Sequence, residues 1–208
     1  MSRRNGMAVL AAAVAAFMAL PLTAGADFRL GVSLNNGGLN GFYFAVGEYN
    51  RVQPRQVVVI KQRGIPDEEL AVVFFIASRA RVSPDEVIAL RLKNRWSWVK
   101  IVRNYRISPE VFYVPVDGDI RGGPYGRAYG YYKKHPRDKW SRVKLTDKDI
   151  INLVNLRFVS EYHKYKPAEV IKMRESGRSF VVIHEEIRKT APPNRAPKKP
   201  PVAHKGKK

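Results

Sequence analysis

The residues best suited to binding chemistry lie in one short segment that mixes cations with aromatic rings. Within sixteen positions the segment holds Tyr125, Arg127, Tyr129, Tyr131, Tyr132, Lys133, Lys134, Arg137, Lys139 and Trp140. Cations beside ring faces suit polyanions that carry sugar or base rings, because charge attracts the anion while the ring faces stack. We therefore predict that this segment binds a polyanion. The alternative, a solvated loop whose tyrosines pack on neighbouring helices, fits the sequence equally well.

Residues for catalysis or metal binding are sparse. The clusters that could ligate a metal or move a proton are His163 with Glu161, and His184 with Glu185 and Glu186. No histidine pair has zincin spacing, and no nucleophile elbow or phosphate-binding glycine loop occurs. His184 falls on an apolar helical stripe that begins at Phe180, which favours a buried structural histidine. We expect no enzymatic activity, no metal site and no cofactor.

The charge of the chain indicates the class of partner. Its 208 residues include 38 Lys or Arg and 18 Asp or Glu, which gives a net charge of +20, and they include no Cys. The absence of Cys excludes disulfides, thiol catalysis and Cys-ligated zinc. The apolar share of 45% excludes a wholly disordered chain. An anionic partner follows from the charge, although the charge names no molecule.

Residues 1–26 have the pattern of a secretory signal peptide. The positive pair Arg3-Arg4 precedes an apolar run over 7–20, and small residues lead up to Ala26. A helix of that length spans about 21 Å, which is short of a hydrocarbon core of ~30 Å. We predict cleavage after Ala26 and export to the periplasm or cell envelope, with an uncleaved anchor as the alternative. Anionic surfaces there include lipid head groups, lipopolysaccharide and cell-wall polymer.

The elements that must position these residues are mainly helical. Residues 27–52 alternate apolar and polar side chains around Asn35-Asn36-Gly37-Gly38, which predicts an N-terminal β-hairpin. A short helix is then predicted from Pro54 to Arg63, and Ser83 opens a capping box with Glu86. The core candidates are Trp96, Trp98, Phe74, Phe75, Leu90, Ile101, Leu153, Phe158, Val170 and Phe180.

An internal repeat organises the helices. The string Pro84-x-Glu86-Val87-Ile88 recurs 83 positions later as Pro167-x-Glu169-Val170-Ile171, and Arg91 recurs as Arg174. From Ser97 onward the offset is 82, which a one-residue insertion or deletion in the loop before Ser97 explains. We predict a duplicated three-helix unit. The alternative is a coincidence between two amphipathic segments with ordinary caps.

The chain therefore divides into segments of different composition. The predicted divisions are a first helical copy at 53–115, a Gly- and Tyr-rich basic linker at 116–144, a second helical copy at 145–188 and a Lys- and Pro-rich tail at 189–208. The tail cannot bury a core and is predicted to be disordered. Its Lys198 and Lys199 are further candidates for polyanion binding.

The last two helices of each copy resemble the helix-turn-helix pattern of DNA-binding domains. In the first copy, Lys100, Arg103 and Arg106 would give the second helix a basic face toward phosphates and bases. In the second copy, Glu185 and Glu186 replace Arg103 and its neighbour and would repel a phosphate backbone. The main hypothesis is therefore an exported, non-enzymatic binding or structural protein that associates with an anionic envelope component. Nucleic-acid binding is the alternative.

Overall fold

The computed structural model describes residues 39–190, and over these residues the chain is mainly helical with no strand. The α-helices are α1 (Leu39–Tyr49), α2 (Pro54–Gln62), α3 (Leu70–Ala80), α4 (Pro84–Ile88), α5 (Trp98–Asn104), α6 (Gly126–Lys134), α7 (Asp147–His163), α8 (Pro167–Glu175) and α9 (Phe180–Thr190). Between them lie 3₁₀ turns at Asp67–Glu69, Pro109–Phe112 and Arg137–Arg142, and a π turn at Ala89–Lys93. The predicted mainly α class is confirmed. The predicted signal peptide, and Lys198 and Lys199 of the tail, lie outside the described residues.

The predicted N-terminal hairpin is wrong over the part that the structure describes. Its second strand was expected to contain Phe42 and Val46, but both lie on helix α1. The physical reason is a helical stripe, since Phe42, Ala45, Val46 and Tyr49 are spaced i, i+3, i+4 and i+7 and face the core together. The apolar residues at 42, 44 and 46 also have a period of two, and this pattern led to the strand prediction. The predicted first strand lies outside the described residues.

The predicted capping box at Ser83 is confirmed, and the neighbouring helices are also capped. Helix α2 ends just before Gly64, whose φ of 104° is in the left-handed region. The Ser83 hydroxyl accepts from the Glu86 backbone N–H, and the Glu86 carboxylate accepts from the Ser83 backbone N–H. The Ser97 hydroxyl accepts the N–H at the third position of α5 in the same way. These caps satisfy N–H groups that the start of a helix leaves without partners.

The core lies around α3 and α7. Helix α3 buries nearly every face, and α7 packs against α1, α3, α5, α8 and α9. The predicted core residues that are buried are Trp98, Phe74, Ile101, Leu153, Phe158, Val170 and Phe180. The other three, Trp96, Phe75 and Leu90, are partly buried and pack against the same core.

Arg91 forms a bracket at the start of α5. Its guanidinium donates to both carboxylate oxygens of Glu69, at 2.9 and 2.8 Å, and to the carbonyl of Trp96 at 3.0 Å. The same group lies 4.9 Å from the centre of the Trp98 ring. Asp147, at the start of α7, accepts the first two backbone N–H groups of α5, both at 2.9 Å. The bracket therefore joins α3, α5 and α7.

Arg174 forms a second bracket at the start of α9. Its guanidinium donates to both carboxylate oxygens of Glu68, at 3.0 and 2.9 Å, and to Oδ1 of Asn152 at 3.1 Å. It also donates to the carbonyl of Arg178 at 2.8 Å and lies 4.8 Å from the centre of the Phe180 ring. Glu68 accepts the Phe180 backbone N–H at 2.7 Å. A carboxylate, a carbonyl and a ring therefore surround each bracket arginine.

Two buried histidines bond each other between α7 and α9. Nε2 of His163 lies 2.9 Å from Nδ1 of His184, so one neutral ring donates to the other. The Phe42 ring packs edge-on against His184 at 5.8 Å. Burial lowers the pKa of His163 to about 4 and that of His184 to about 3, and the nearby Arg188 guanidinium contributes to both decreases. The structural role expected for His184 agrees with this burial.

We expect Arg174→Lys to lower the free energy of unfolding by about 1–3 kcal/mol, because lysine keeps the charge but loses the planar fork that reaches Glu68 and two other acceptors. The matched control is Arg178→Lys, at an exposed side chain 3.4 Å from Glu186, where we expect a change below about 0.5 kcal/mol. Urea denaturation measures both values. Equal decreases in the free energy of unfolding of the two variants would show that the planar guanidinium of Arg174 adds no stability beyond its charge.

Stability should decrease on mild acidification because of the histidine pair. Both pKa values are lowered in the folded chain, so between pH 6.5 and about 4 the unfolded chain binds more protons than the folded one. The contribution is complete above pH 6.5, and we expect a loss of about 2 kcal/mol per histidine at pH 5. In His163→Gln, the side-chain amide takes the place of Nε2 but does not titrate. The free energy of unfolding of this variant should therefore decrease less steeply as the pH is lowered. Urea denaturation between pH 7.5 and 4.5 tests this, and parallel profiles for the two proteins would contradict it.

Candidate anion-binding site

The segment predicted as a linker, 116–144, contains helix α6 and a 3₁₀ turn. Helix α6 and the 3₁₀ turn after it fold back on Tyr113. The Tyr113 ring lies 5.0 Å from the Tyr132 ring and 4.4 Å from the Trp140 ring. The Trp140 indole N–H donates to the carbonyl of His135 at 2.9 Å, which closes the turn onto the helix. The segment is therefore built around an aromatic cluster.

Three of the predicted ligand-binding tyrosines belong to that cluster. Tyr125, Tyr129 and Tyr132 are 0%, 8% and 4% exposed. Burial raises the pKa of all three, and the Tyr129 hydroxyl donates to the carbonyl of Val114 at 2.7 Å. Their ring faces are therefore turned to the core and cannot stack on a ligand. The arrangement matches the alternative of tyrosines packed on helices, and the spacing i, i+4 and i+7 was the sequence signal for it.

The remaining aromatic residues of the segment are partly buried. Tyr131 stacks on His135, with ring centres 4.0 Å apart, and Trp140 lies at the edge of the cluster. Two of the predicted cations have internal partners: Arg127 pairs with Asp149, and Lys133 lies 3.0 Å from Asp119. Hydrogen bonds from Arg121 and Lys133 lower the pKa of Asp119.

Three predicted cations remain on the surface without an ion pair to another described residue. They are Lys134 at the end of α6, and Arg137 and Lys139 in the 3₁₀ turn. The Arg137 guanidinium lies 5.7 Å from the centre of the Trp140 ring, which leaves its charge open to solvent. We call these residues the α6 cations. They are the part of the predicted site that is both exposed and without an ion pair to another described residue.

A second basic site joins residues that are distant in sequence. A cavity of about 740 Å³ lies between the end of α1, the end of α3 and the outer face of α7. The cations that line it are Arg51, Arg79, Arg81 and Arg157, and the carboxylate is Glu161. We call this cavity the arginine groove. Sequence analysis missed it because nothing in the chain order shows that these turns meet.

The carboxylate in the groove already has internal partners. The Tyr49 hydroxyl donates to Glu161 at 2.6 Å, and the Arg157 guanidinium lies 3.7 Å from the same carboxylate. Burial is the main cause that raises the pKa of Tyr49, whereas Arg157 and Arg79 act to lower it. Arg157 also donates to the carbonyls of Val111 and Tyr113, at 2.9 and 2.7 Å. Glu161 therefore leaves the other guanidinium groups uncompensated.

Two of the groove arginines have a left-handed backbone. Arg51 and Arg81 have φ values of 57° and 58°, a conformation that costs a residue other than glycine about 1–2 kcal/mol. The residues other than glycine with positive φ in the described chain are Arg51, Arg81, Arg95, Arg106 and Lys164. Four of these five, all except Arg95, lie within two residues of the end of an α-helix, and the next N–H bonds the carbonyl five residues earlier. A cation at this position complements the negative end of the helix dipole.

Helices α5 and α9, which the sequence analysis compared with helix-turn-helix motifs, differ in charge. Arg103 on α5 and Arg106 just after it are exposed, and the Lys100 amine lies 4.1 Å from the centre of the Trp96 ring. On α9, Glu186 pairs with Arg178, and Glu185 is buried beside Arg188. Basic side chains therefore face solvent at α5, whereas Glu185 and Glu186 of α9 are paired with arginines.

Residues 39–190 contain no group of three or more His, Cys, Asp or Glu side chains that could hold a metal ion. Over the same residues, no helix combines the length and the apolar character needed to cross a membrane. No family model, curated protein or solved structure matches the chain.

The two tyrosine hydroxyls of the aromatic cluster should respond differently to removal. The Tyr132 hydroxyl is buried with no hydrogen-bond partner among the described residues, whereas the Tyr129 hydroxyl has one. Tyr129→Phe should lower the free energy of unfolding by about 1 kcal/mol, and Tyr132→Phe should leave it unchanged or raise it slightly. Urea denaturation of both variants measures the difference. A cost at Tyr132 as large as that at Tyr129 would show that the Tyr132 hydroxyl is bonded.

Proposed function

We propose that the chain is an exported, non-enzymatic binding protein that associates with an anionic component of the cell envelope. The observation that carries the proposal is the imbalance of charge over residues 39–190, where 29 Lys or Arg stand against 17 Asp or Glu, a net charge of +12. Ion pairs within the fold engage many of the carboxylates, Glu68, Glu69, Asp147 and Asp149 among them. The surplus cations are on the outside, where an extended anionic surface can reach them.

The signal-peptide pattern of residues 1–26 is the reason for proposing a partner in the cell envelope. An exported protein with this charge meets lipid head groups, lipopolysaccharide phosphates and cell-wall polymers. The α6 cations and the basic tail are the contacts we assign to that surface, at about 1 kcal/mol per residue near a charged membrane. Lys198 and Lys199 belong to this assignment from the sequence alone.

We propose further that the fold is a duplicated three-helix unit. Helices α3, α4 and α5 correspond to α7, α8 and α9, and the bracket arginines Arg91 and Arg174 are 83 positions apart. Arg81 and Lys164, also 83 apart, both end their helices in the left-handed conformation. The π turn at Ala89–Lys93 has no counterpart in α8. Because a π turn accommodates one extra residue, it accounts for the change of offset from 83 to 82.

The two proposed copies exchange carboxylates. Asp147 of the second copy accepts the first N–H groups of α5, and Glu68 of the first copy accepts the first N–H of α9. Each copy therefore completes the helix start of the other, next to the bracket arginine. This exchange supports a single rigid body that carries the cations in fixed positions.

The exposed Lys100, Arg103 and Arg106 of α5 favour nucleic acid as the second candidate partner. The pairing of Glu185 and Glu186 with arginines weighs against it, because these positions of α9 offer no free cation to a phosphate backbone. Salt dependence does not separate the two candidates, since both are electrostatic. Competition between the two ligands does.

The test uses the chain from Asp27 onward and vesicles of phosphatidylglycerol in phosphatidylcholine. We expect binding that requires the anionic lipid, and we expect replacement of Lys134, Arg137 and Lys139 by Gln to weaken it by roughly 10- to 100-fold. The matched control replaces Lys100, Arg103 and Arg106 by Gln, with the same loss of charge and less effect. Failure of the unchanged chain to prefer anionic vesicles would refute the proposal. Displacement by duplex DNA, together with a larger effect of the control, would favour nucleic acid.

A further inference from the structure

We propose that the arginine groove binds a phosphate ester, that is, a phosphate group attached to a small polar carbon skeleton such as glycerol or a sugar. The inference rests on the proposed function and deepens it, because it assigns to one cavity the anionic group that the envelope component presents. The groove residues come from the turn after α1, the end of α3 and the face of α7. None of these positions belongs to the α6 cations.

The charge of the groove calls for an anion. Four arginines line it against the single carboxylate of Glu161, which is already bonded to Tyr49 and close to Arg157. Arg51, Arg79 and Arg81 make no ion pair with another described residue, and all three are exposed. An anion placed among them would have three cations as neighbours and no free carboxylate to oppose it.

The type of cation favours phosphate. A guanidinium presents a planar fork of N–H donors that matches two oxygens of a phosphate or a carboxylate. Arg51 and Arg81 approach from two different turns, and Arg79 lies beside them with its guanidinium 5.3 Å from the centre of the Phe75 ring. A phosphate ester offers its several oxygens in different directions, so more than one fork can bind at once. A carboxylate lies in one plane and suits a single fork better.

The size and the walls of the groove favour an ester over free phosphate. A volume of about 740 Å³ is in the range of small-molecule sites and exceeds the needs of one inorganic ion. Val52, Val82 and Pro84 supply apolar wall beside the arginines. A carbon skeleton attached to the phosphate would rest on this wall, and Ser78 and Asn50 offer polar contacts.

The backbone of the groove arginines gives a matched control. Arg106 and Lys164 have the same left-handed conformation after α5 and α7 but do not line the groove. Attraction to a helix end therefore applies to all these residues alike, whereas contact with a groove ligand applies only to Arg51 and Arg81. Glycine at any of these positions removes a charge and also relieves the backbone, so the variants should fold.

The experiment compares Arg51→Gly/Arg81→Gly with Arg106→Gly/Lys164→Gly, both in the chain from Asp27 onward. Titration calorimetry measures the affinity for glycerol 1-phosphate, inorganic phosphate and glycerol, and co-sedimentation measures binding to phosphatidylglycerol vesicles. We expect glycerol 1-phosphate to bind more tightly than inorganic phosphate, and glycerol not to bind. The groove variant should lose at least tenfold in affinity for glycerol 1-phosphate, and the control less than twofold. Both variants should melt at or above the temperature of the unchanged chain.

Other outcomes would overturn the inference in distinguishable ways. Equal losses of affinity for glycerol 1-phosphate in the two variants would mean that only the net charge matters. Equal affinities of the unchanged chain for inorganic phosphate and glycerol 1-phosphate would show that the groove does not recognise the ester's carbon skeleton. Vesicle binding without any binding of glycerol 1-phosphate would refute the groove and leave the proposed function intact. Absence of vesicle binding as well would refute both.

Discussion

The structure depends on two guanidinium groups that hold the starts of α5 and α9. Arg91 and Arg174 each bind a carboxylate with a planar fork, a backbone carbonyl with a further N–H, and a ring through its face. A chain without Cys gains no covalent crosslink, so such contacts and the core around α3 and α7 must fix the helices. Both arginines are partly buried, where an unpaired charge would be costly, and the fork satisfies several acceptors at once.

These internal contacts also determine what the surface presents. The carboxylates of Glu68, Glu69 and Asp147 serve the brackets, and Asp149 caps α7 while it pairs with Arg127. Since carboxylates are the minority charge, their engagement inside leaves cations as the main charged groups on the outside. The same ion pairs that stabilise the fold thereby concentrate positive charge where a partner can meet it. Because Asp and Glu are few, the ion pairs that stabilise the fold also determine which cations remain available for binding.

Local signals in the sequence predicted local structure well. Ser83 with Glu86 marked a capping box because its two hydrogen bonds need only residues three apart. The strand expected around Phe42 failed because a period of two over five residues also fits a helix whose stripe is wide. For the candidate site, Lys134, Arg137 and Lys139 were predicted, whereas the role of Tyr125, Tyr129 and Tyr132 depended on burial. The arginine groove required knowledge of which turns meet, and no pattern in chain order carries that information.

At Arg51 and Arg81, the energetic cost of the left-handed backbone can be compared with the stabilisation from the helix dipole. A cation at an exposed helix end gains about 0.3–1 kcal/mol from the helix dipole, whereas the left-handed backbone costs a residue other than glycine about 1–2 kcal/mol. The dipole therefore offsets part of the cost at Arg51 and Arg81, and glycine would serve the fold at least as well. The same balance holds at Arg106 and Lys164, so what distinguishes Arg51 and Arg81 is their position at the groove. Both turns border one cavity with two further arginines, which is the arrangement expected where an anion rather than the fold itself provides the compensating contact.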